Sequence, residues 1–494
     1  MSESYDVLII GGGINGTAIA AHLAQVGIKV ILCEKNDIAS ATSSASSKLI
    51  HGGLRYLKYY QVNFVRQALQ EQQELMRSLP HLVKPIEFVL PHSKAQMPYW
   101  KLRLGLWLYD HLTKRNLPYS HAINLTTHAY GSALKAGFNS GFVYYDCWTN
   151  DARLCILNAQ QARDFGANIN NYTEVVRCYR LSQHWDVTLE DIFTQSKRLI
   201  QAKCIINATG PWVEQIAENL LSSPLTYPIE LVQGSHIIVP KLCHGEQAYI
   251  LPQHDERIIF VIPYLNKYHL IGTTEVILND MPSIISARED EINYLCECVN
   301  RYFIPQITPQ QIIKSYSGIR TLLKRKTKNI SSISRESTLE LNEQINYAPC
   351  LHIIGGKLTS HRHLAHQVYS IIKKYFKHIN SENNLYINDT PNKKFYSAEQ
   401  LKQNYPWLTD TLQTRYYNYY GKNCTIFLEG KNSIKDLGYN FGAGLTSTEI
   451  DYLIAYEWAK AIDDIIWRRT ELGFELTDVQ RLLIADYIDI NINI

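Results

Sequence analysis

The chain has 494 residues, a length that suits two or three domains better than one. Its 49 basic and 46 acidic residues give a formal net charge of +3, which is too balanced to indicate nucleic-acid binding. The ten cysteines show no CxxC or Cys/His ligand spacing, so we predict free thiols in a reducing cytoplasm and no metal site. We expect neither a signal peptide nor a membrane-spanning segment, because polar residues interrupt every long apolar run.

The first predicted elements form a β–α–β unit over residues 5–34, in which two apolar strands flank a helix with 3.6-residue periodicity. Residues 85–360 then mix alternating strands with helices, which fits a substrate domain inserted into a nucleotide-binding domain. Residues 378–394 are polar and Asn-rich, as is typical of a linker. Residues 396–494 are predicted to be helical, most clearly over 456–467.

A glycine-rich turn joins the first strand to the first helix. Gly11, Gly13 and Gly16 satisfy the GxGxxG pattern, and Glu34 ends the next strand. In this context the glycines permit a tight turn, a close backbone approach to a pyrophosphate, and close packing of helix on strand. The helix N-terminus would face the phosphates, and Glu34 would accept a hydrogen bond from a ribose. We therefore predict dinucleotide binding, against the alternative of a turn without a ligand.

Two further segments favour FAD over NAD. Residues 39–47 are small or carry hydroxyls, which suits a segment that lies along an extended cofactor, although the same composition is typical of a flexible loop. The strand that ends in Asn-Ala-Thr-Gly-Pro-Trp, residues 207–212, looks like the second contact that flavoproteins make near the nucleotide. The Gly-Gly pair in residues 355–359 indicates a turn whose backbone N–H groups could approach a flavin.

Several separated segments, taken in order, resemble one known family. The segments are residues 41–57, 146–148, 151–153, 207–212, 234–236, 271–274, 316–320, 355–359 and 467–469. They resemble the aerobic FAD-dependent glycerol-3-phosphate dehydrogenases, within a wider group of flavoproteins similar to glycine and D-amino-acid oxidases. The resemblance extends over almost the whole chain, so it is far more specific than the glycine-rich turn alone.

The resemblance implies a fold class and a domain arrangement. We expect an α/β protein with a Rossmann-like FAD-binding domain, an inserted substrate domain built on a mixed sheet, and a C-terminal helical domain. The predicted ranges are 1–84 with 140–225 and 340–377 for FAD binding, 85–139 with 226–339 for substrate binding, 378–395 for the linker and 396–494 for the C-terminal domain.

The motifs and the resemblance together predict a set of residues around FAD. These residues are Gly11, Gly13, Ile14, Asn15, Gly16, Glu34, Lys35, Thr42, Ser43, Ser47, Lys48, Leu49, His51, Gly52, Gly53, Ala208, Thr209, Gly210, Gly356, Lys357, Leu358 and Thr359. Most of them belong to the glycine-rich turn, the hydroxyl-rich segment and the two later turns.

The resemblance also implies a reaction, in which sn-glycerol 3-phosphate is oxidised to dihydroxyacetone phosphate by hydride transfer to flavin N5. The electrons would pass to a membrane quinone, ubiquinone. A phosphate dianion needs fixed positive charge, and a guanidinium matches phosphate oxygens better than an ammonium does. The resemblance places Arg55, Arg320 and Arg335 around the substrate, with Lys357 beside the flavin, and we expect Arg320 and Arg335 to hold the phosphate. The alternative is a set of ordinary salt-bridge arginines.

Several residues are candidates for the proton and charge chemistry. His236 is the natural base, because its ordinary pKa lies near neutrality, although a buried, hydrogen-bonded histidine is the alternative. Lys357 and Arg320 could instead stabilise the developing alkoxide. Tyr56 would orient the substrate or simply pack, and His51 would be a flavin neighbour or a turn residue.

Four positions depart from the family's usual residues. His22 and Glu275 stand where the family usually has Asp, Thr321 where Pro is common, and His361 where Tyr is usual. The departures motivate one alternative, a catalytically degenerate FAD-binding sensor or scaffold. A second alternative is a glycerol-3-phosphate oxidase that passes its electrons to oxygen and produces hydrogen peroxide.

Two segments carry features that suit an anionic membrane surface. Residues 99–115 interleave aromatic, aliphatic and basic side chains, and residues 324–328 form a cationic cluster. The patterns alone favour a core helix and a solvated loop. The resemblance implies a peripheral enzyme on the cytoplasmic face of the inner membrane, and it leaves a homodimer open.

Overall fold

The computed structural model of the chain describes residues 3–93, 97–255, 257–324, 337–376 and 396–492. Its strands are β1 (Glu3–Ile10), β2 (Val30–Cys33), β3 (Leu49–Ile50), β4 (Val83–His92), β5 (His121–Asn124), β6 (Ser140–Thr149), β7 (Asn168–Asn170), β8 (Thr173–Arg180), β9 (Trp185–Asp191), β10 (Lys197–Asn207), β11 (Ile229–Pro240), β12 (Ala248–Pro252), β13 (Ile258–Tyr264), β14 (Tyr268–Gly272), β15 (Val276–Leu278), β16 (Lys314–Leu323), β17 (Thr338–Asn342), β18 (Cys350–Ile354), β19 (Asn440–Gly442) and β20 (Leu445–Thr446). Its α-helices are α1 (Ile14–Gln25), α2 (Val62–Ser78), α3 (Tyr99–His111), α4 (Asp151–Asp164), α5 (Val213–Asn219), α6 (Glu289–Asn300), α7 (His361–Ile372), α8 (Ala398–Asn404), α9 (Asp410–Tyr420), α10 (Cys424–Leu428), α11 (Ser447–Glu457) and α12 (Asp478–Ile492).

The first sheet is built around β1, whose apolar residues are buried on both faces, as expected for a central parallel strand. Strand β1 pairs in parallel with β2 and with β10, in the order β17-β18-β10-β1-β2-β7. The antiparallel strands β8 and β9 extend from β10. Helix α1 contacts both α4 and α7. The predicted β–α–β unit is therefore confirmed, and the glycine-rich turn lies at the carboxyl end of β1.

The second sheet runs in the order β15-β11-β14-β13-β12-β4-β6-β3, with β16 paired to β11 and β5 paired to β6. Its long strand β11 pairs with β14, β15 and β16, and α6 packs against β11 and β13. Strand β6, which the predicted division assigns to the FAD-binding domain, pairs with β4 in this sheet. The predicted domain limits stay a prediction.

Residues 396–492 form a separate, mainly helical region with its own core, which includes Tyr416, Tyr420 and Leu453. The single helix predicted over 456–467 is wrong, because α11 ends at Glu457 and Trp458 adopts a left-handed conformation with φ of 57°. The chain then turns and continues as a short π-helix at Asp464–Arg469. In the described ranges no helix is both long and apolar enough to cross a bilayer.

Candidate active site

A cavity of about 1700 Å³ is lined by residues from both large sheets. Ligand pockets in proteins usually enclose about 300–1,000 Å³. The cavity is therefore large enough for an extended dinucleotide together with a second, smaller molecule.

The glycine-rich turn forms one end of this cavity. Gly11 has a φ of 110°, and a Cβ added there would lie 2.6 Å from the Ala208 carbonyl oxygen. A Cβ at Gly16 would lie only 1.9 Å from the Gly11 carbonyl oxygen. Both positions therefore require glycine, because any side chain would separate α1 from the strands β1 and β10. The N-terminal residues Ile14 and Asn15 of α1 face the cavity.

Glu34 is held in place at the end of β2. Its Oε2 accepts a hydrogen bond from the Gly12 backbone N–H at 2.6 Å, and its Oε1 accepts one from the Asn36 N–H at 2.8 Å. Burial raises the pKa of Glu34, and the backbone donors oppose that effect. The neighbouring Lys35 pairs with Glu174 at 2.8 Å. The fixed carboxylate of Glu34 lines the cavity, so it can accept a ribose hydroxyl.

The hydroxyl-rich segment is ordered by hydrogen bonds. Ser43 Oγ accepts from the Ile14 N–H at 2.9 Å, and Thr42 Oγ1 donates to the Ile319 carbonyl at 2.8 Å. Residues Thr42–Ser44 form a 3₁₀ turn along the cavity wall. The segment thus fits the predicted cofactor wall better than the alternative of a flexible loop.

The Gly355-Gly356 turn approaches the start of α1 from the opposite side. Asn15 Nδ2 donates to the Gly355 carbonyl at 2.9 Å, and a Cβ at Gly356 would lie 2.9 Å from that nitrogen. Asn15 Oδ1 is buried and has no hydrogen-bond partner in the described part of the chain. Backbone on both sides, a helix N-terminus and an unsatisfied acceptor all fit FAD, whose pyrophosphate and polyol groups need such contacts.

Most predicted cofactor residues line the cavity, and three do not. Those that line it are Gly11, Gly13, Ile14, Asn15, Glu34, Lys35, Thr42, Ser43, Ser47, Leu49, His51, Gly53, Ala208, Thr209, Gly210, Gly356, Lys357, Leu358 and Thr359. Gly16 packs behind the turn, and the Lys48 ammonium pairs with Asp151 at 2.6 Å. Gly52 donates its N–H to Tyr109 Oη at 2.9 Å, away from the cavity. These three support the cavity wall and do not form its surface.

The other end of the cavity is lined by charged side chains. Arg55 Nη2 lies 3.3 Å from Glu275 Oε1, and Arg320 Nη1 lies 4.0 Å from the same oxygen. Arg320 Nη2 also donates to Thr273 Oγ1 at 3.4 Å. Glu275, which stands out in the sequence only as a departure from the family, is thus a site residue that was not predicted. Its position directly after the Gly-Thr-Thr motif at 272–274 was the available signal.

Lys357 and Tyr56 lie close together at this end. The Lys357 ammonium lies 4.1 Å from the Tyr56 ring centroid and 4.0 Å from that of Phe64. Tyr56 both packs on Phe64 and lines the cavity, so its two predicted roles are compatible. His51 lines the cavity as well.

Arg335 lies outside the described residues, as do residues 325–328 of the cationic cluster.

His236 is buried behind the cavity wall. Its Nε2 is hydrogen-bonded to Ser47 Oγ at 2.8 Å, and its ring stacks on Tyr316 with the centroids 5.0 Å apart. Burial, and after it the positive charges of Arg320 and Lys48, lower the pKa of His236 to about 3. His236 itself does not line the cavity, but its hydrogen-bond partner Ser47 does, and its role as a base stays a prediction.

The four departures lie in different surroundings. His22 packs against the rings of His366 and Tyr369, and His361 is buried at the start of α7; neither lines the cavity. Thr321 lines the cavity and donates its hydroxyl to the Gly210 carbonyl at 3.0 Å. Only Glu275 changes the charged end of the cavity directly.

A parallel nucleotide-binding sheet joined to a mixed sheet, with a glycine-rich turn and a second Gly-Gly turn on one cavity, defines a flavin-dependent oxidoreductase. Residues 6–361 match the family model described as FAD dependent oxidoreductase (DAO). The chain belongs to this family, its cofactor is FAD, and the predicted fold class is confirmed.

Two relatives place the chain more closely within the family, and one solved structure shares its fold. The glycerol-3-phosphate dehydrogenase of Pseudomonas aeruginosa is 42% identical over 99% of this chain and 96% of its own length. The D-erythritol 1-phosphate dehydrogenase of Brucella abortus is 39% identical over 99% of this chain and 98% of its own. The structure of the glycerol-3-phosphate dehydrogenase from Bacillus halodurans complexed with FAD has a TM-score of 0.73, with 22% identity over 100% of this chain and 95% of that one.

Proposed function

We propose that this protein oxidises sn-glycerol 3-phosphate to dihydroxyacetone phosphate and passes the electrons to a membrane quinone, ubiquinone. The observation that carries the proposal is the cluster of Arg55, Arg320 and Lys357 at one end of a cavity whose other end fits FAD. Near full-length similarity to a glycerol-3-phosphate dehydrogenase supports the same substrate. The predicted division into FAD-binding, substrate and C-terminal domains belongs to this proposal.

Each cationic residue has a proposed task. FAD, when bound, supplies the acceptor for the hydride that leaves C2 of the substrate. Arg320 and Arg55 bind the phosphate dianion, because their guanidinium groups present fixed charge and several N–H donors into the cavity. Lys357 stabilises negative charge on the C2 oxygen while the hydroxyl proton passes to solvent water in the cavity. His236 acts as a positioning residue, because its hydrogen bond fixes the Ser47 hydroxyl at the cavity wall.

D-Erythritol 1-phosphate is a second candidate substrate. The Brucella abortus relative named for that substrate is almost as similar to this chain as the Pseudomonas aeruginosa relative is. Both compounds are polyol monophosphates, so the same arginines would bind the phosphate of either one. The two substrates differ in the length of the carbon chain, so the enzyme would distinguish them by that length.

Steady-state kinetics with purified holoenzyme separate these candidates. We expect a soluble quinone analogue to be reduced with sn-glycerol 3-phosphate at a higher kcat/KM than with D-erythritol 1-phosphate, and dihydroxyacetone phosphate to accumulate with the same stoichiometry. Hydrogen peroxide formed in step with substrate loss would instead identify an oxidase. A preference for the four-carbon substrate would identify the second candidate.

We also propose that α3 docks on an anionic membrane at the cytoplasmic face. Trp100, Leu104 and Trp107 on this helix are 63%, 56% and 54% exposed, although Leu106 and Tyr109 on its other side are buried. Large exposed aromatic side chains beside basic ones are typical of a membrane-interface helix. The basic neighbours are Lys101 and Arg103. Helix α3 also borders the cavity, through Lys101, Leu102, Leu104, Gly105 and Leu108. A quinone in the bilayer would thus enter the cavity beside the leucines of α3.

Vesicle binding tests this surface. A Trp100→Ser, Leu104→Ser, Trp107→Ser variant should lose most of its binding to vesicles that contain anionic phosphatidylglycerol. The matched control is Val479→Ser, Leu482→Ser, Ile490→Ser, which removes three similarly exposed apolar side chains from α12. Equal binding by the α3 variant and the wild type would reject this surface.

The association of two copies of the chain into a homodimer stays a prediction.

A further inference from the structure

The hydroxyl-rich segment of the cavity wall is held at both ends. It begins at Ala39 and is followed directly by Lys48, and both residues adopt the left-handed conformation, with φ values of 62° and 56°. The Ala39 N–H donates to the Gly12 carbonyl at 3.1 Å, which ties the segment to the glycine-rich turn. Non-glycine residues in this conformation cost free energy, so the surrounding contacts must impose it.

At the first end, Asp37 is buried against two arginines from the C-terminal region. Arg469 forms a two-pronged pair with Asp37, in which Nη1 contacts Oδ2 and Nη2 lies 2.8 Å from Oδ1. Arg468 Nε donates to Asp37 Oδ2 at 2.5 Å, and Arg468 Nη2 donates to Asp464 Oδ1 at 2.5 Å. Although burial opposes ionisation, Arg469 and then Arg468 lower the pKa of Asp37. Asp37 is therefore ionised at neutral pH and forms an ion pair with Arg469.

At the second end, the Lys48 ammonium lies between two acids. It is 2.6 Å from Asp151 Oδ1 and 3.4 Å from Glu471 Oε1, and all three side chains are buried. Asp151 Oδ2 in turn accepts from the Ser46 N–H and hydroxyl at 3.1 and 2.7 Å. Glu471, from the C-terminal region, is fixed because it also accepts from the hydroxyl of Tyr264 at 2.6 Å.

These contacts join a segment inside the range that the family model matches to a region that lies outside it. The model ends at residue 361, whereas Arg468, Arg469 and Glu471 lie more than a hundred residues later. A buried charge left without its partner is strongly destabilising, so these ion pairs hold the segment and the C-terminal region together. Nothing in the substrate reaction requires the three residues, since none of them lines the cavity.

We propose that the C-terminal region braces the cofactor wall, with Arg468, Arg469 and Glu471 as positioning residues that fix residues 37–48 for FAD binding. The brace holds Ser43 against the start of α1 and presents Thr42, Ser43 and Ser47 to the cofactor. Loss of one of these contacts therefore weakens FAD binding while the protein stays folded. The inference depends on the cofactor and is independent of which polyol phosphate is oxidised.

The test compares conservative changes in two ion pairs of the brace with one in a control ion pair, all in the holoenzyme. Arg469→Lys and Glu471→Gln alter the brace, whereas Arg415→Lys alters the Arg415–Glu449 pair, which lies wholly inside the C-terminal region at 2.6 and 2.7 Å. Release of FAD after dilution is followed by the rise in flavin fluorescence. Hydrogen exchange of residues 38–48 is measured by mass spectrometry on the same samples.

We expect both brace variants to release FAD at least about tenfold faster than the wild type, with faster exchange over residues 38–48. Arg415→Lys should release FAD at the wild-type rate. If Arg469→Lys does not fold, Glu471→Gln decides the question alone, because glutamine keeps the shape and the acceptor for Tyr264. Wild-type release from the folded brace variants, or equally fast release from Arg415→Lys, would overturn the proposal.

Discussion

The two ends of the cavity differ in how they are built. The nucleotide end consists of backbone turns around Gly11, Gly13 and Gly356 that are fixed by hydrogen bonds such as that from Asn15 to the Gly355 carbonyl. The substrate end consists of long charged side chains, Arg55 and Arg320 among them, that come from distant segments and share the Glu275 carboxylate. Backbone geometry tolerates almost no change in shape, whereas a charged side chain can be shortened without moving the chain. Substitutions at the nucleotide end should therefore reduce the FAD content, whereas substitutions at the substrate end should reduce kcat/KM and leave FAD bound.

The largest expected effect is at the nucleotide end. In Gly16→Ala the new Cβ would meet the Gly11 carbonyl oxygen at 1.9 Å, so α1 must shift away from the turn. The cost should exceed the about 1–3 kcal/mol of ordinary overpacking, and the protein should be purified without FAD. The ratio of flavin absorbance to protein absorbance measures this loss.

Gly105→Ala is the matched control. Gly105 lies in α3, and a Cβ there would meet nothing within 4 Å. Alanine is favoured over glycine in a helix by about 0.5–1 kcal/mol, so this variant should retain FAD and gain slightly in stability. Full FAD content in Gly16→Ala would contradict the prediction that the nucleotide end does not tolerate a change in backbone shape.

Arg320→Ala should show the opposite pattern at the substrate end. The fold has no steric reason to change, so FAD should stay bound while kcat/KM for sn-glycerol 3-phosphate falls by at least about 100-fold. Arg301→Ala is the control, because Arg301 also lines the cavity but lies outside the charged cluster around Glu275. Wild-type kinetics in Arg320→Ala would contradict its assigned role.

His236 lies behind the wall that joins the two ends, and its variant should have an intermediate effect. Because burial lowers its pKa to about 3, its ring is neutral throughout the range from pH 5.5 to 8. His236→Gln should therefore lower kcat by about tenfold or less and leave the shape of the pH profile unchanged. Disappearance of the acidic limb of that profile would restore His236 as the base.

The same variant has a consequence for stability. The pKa of His236 is lower in the folded protein than the ordinary value of 6.5, so protons bind preferentially to the unfolded chain and stability is lost as pH falls below 6.5. His236→Gln removes this contribution. Denaturant unfolding should show a smaller stability difference between pH 7 and pH 5, by up to about 2 kcal/mol.

The smallest expected effect concerns Glu275. Its carboxylate competes with a phosphate for Arg55 and Arg320, and glutamine keeps its shape without the charge. Glu275→Gln should lower KM for sn-glycerol 3-phosphate by about two- to fivefold with FAD unaffected. A raised KM would show that Glu275 orients the two arginines for substrate.

The nucleotide end could be predicted from the sequence because its signals are local. The glycine spacing at 11–16 and the acid at Glu34 fix a turn, a helix start and a hydrogen bond within one β–α–β unit. The sequence left the burial of His236 open as an alternative and gave no sign that Glu275 contacts both arginines, since both features depend on strand pairing across the second sheet. The brace formed by Arg468 and Arg469 likewise joins residues more than 400 positions apart.

An anaerobic spectrum of the purified protein tests the central claim most directly. The claim is that a cluster of cationic side chains holds a polyol phosphate against the bound flavin. Addition of sn-glycerol 3-phosphate without oxygen should bleach the oxidised-flavin absorbance of the wild type, and much higher substrate concentrations should be needed for Arg320→Ala. A protein that carries FAD but keeps its oxidised spectrum with both candidate substrates would contradict the account.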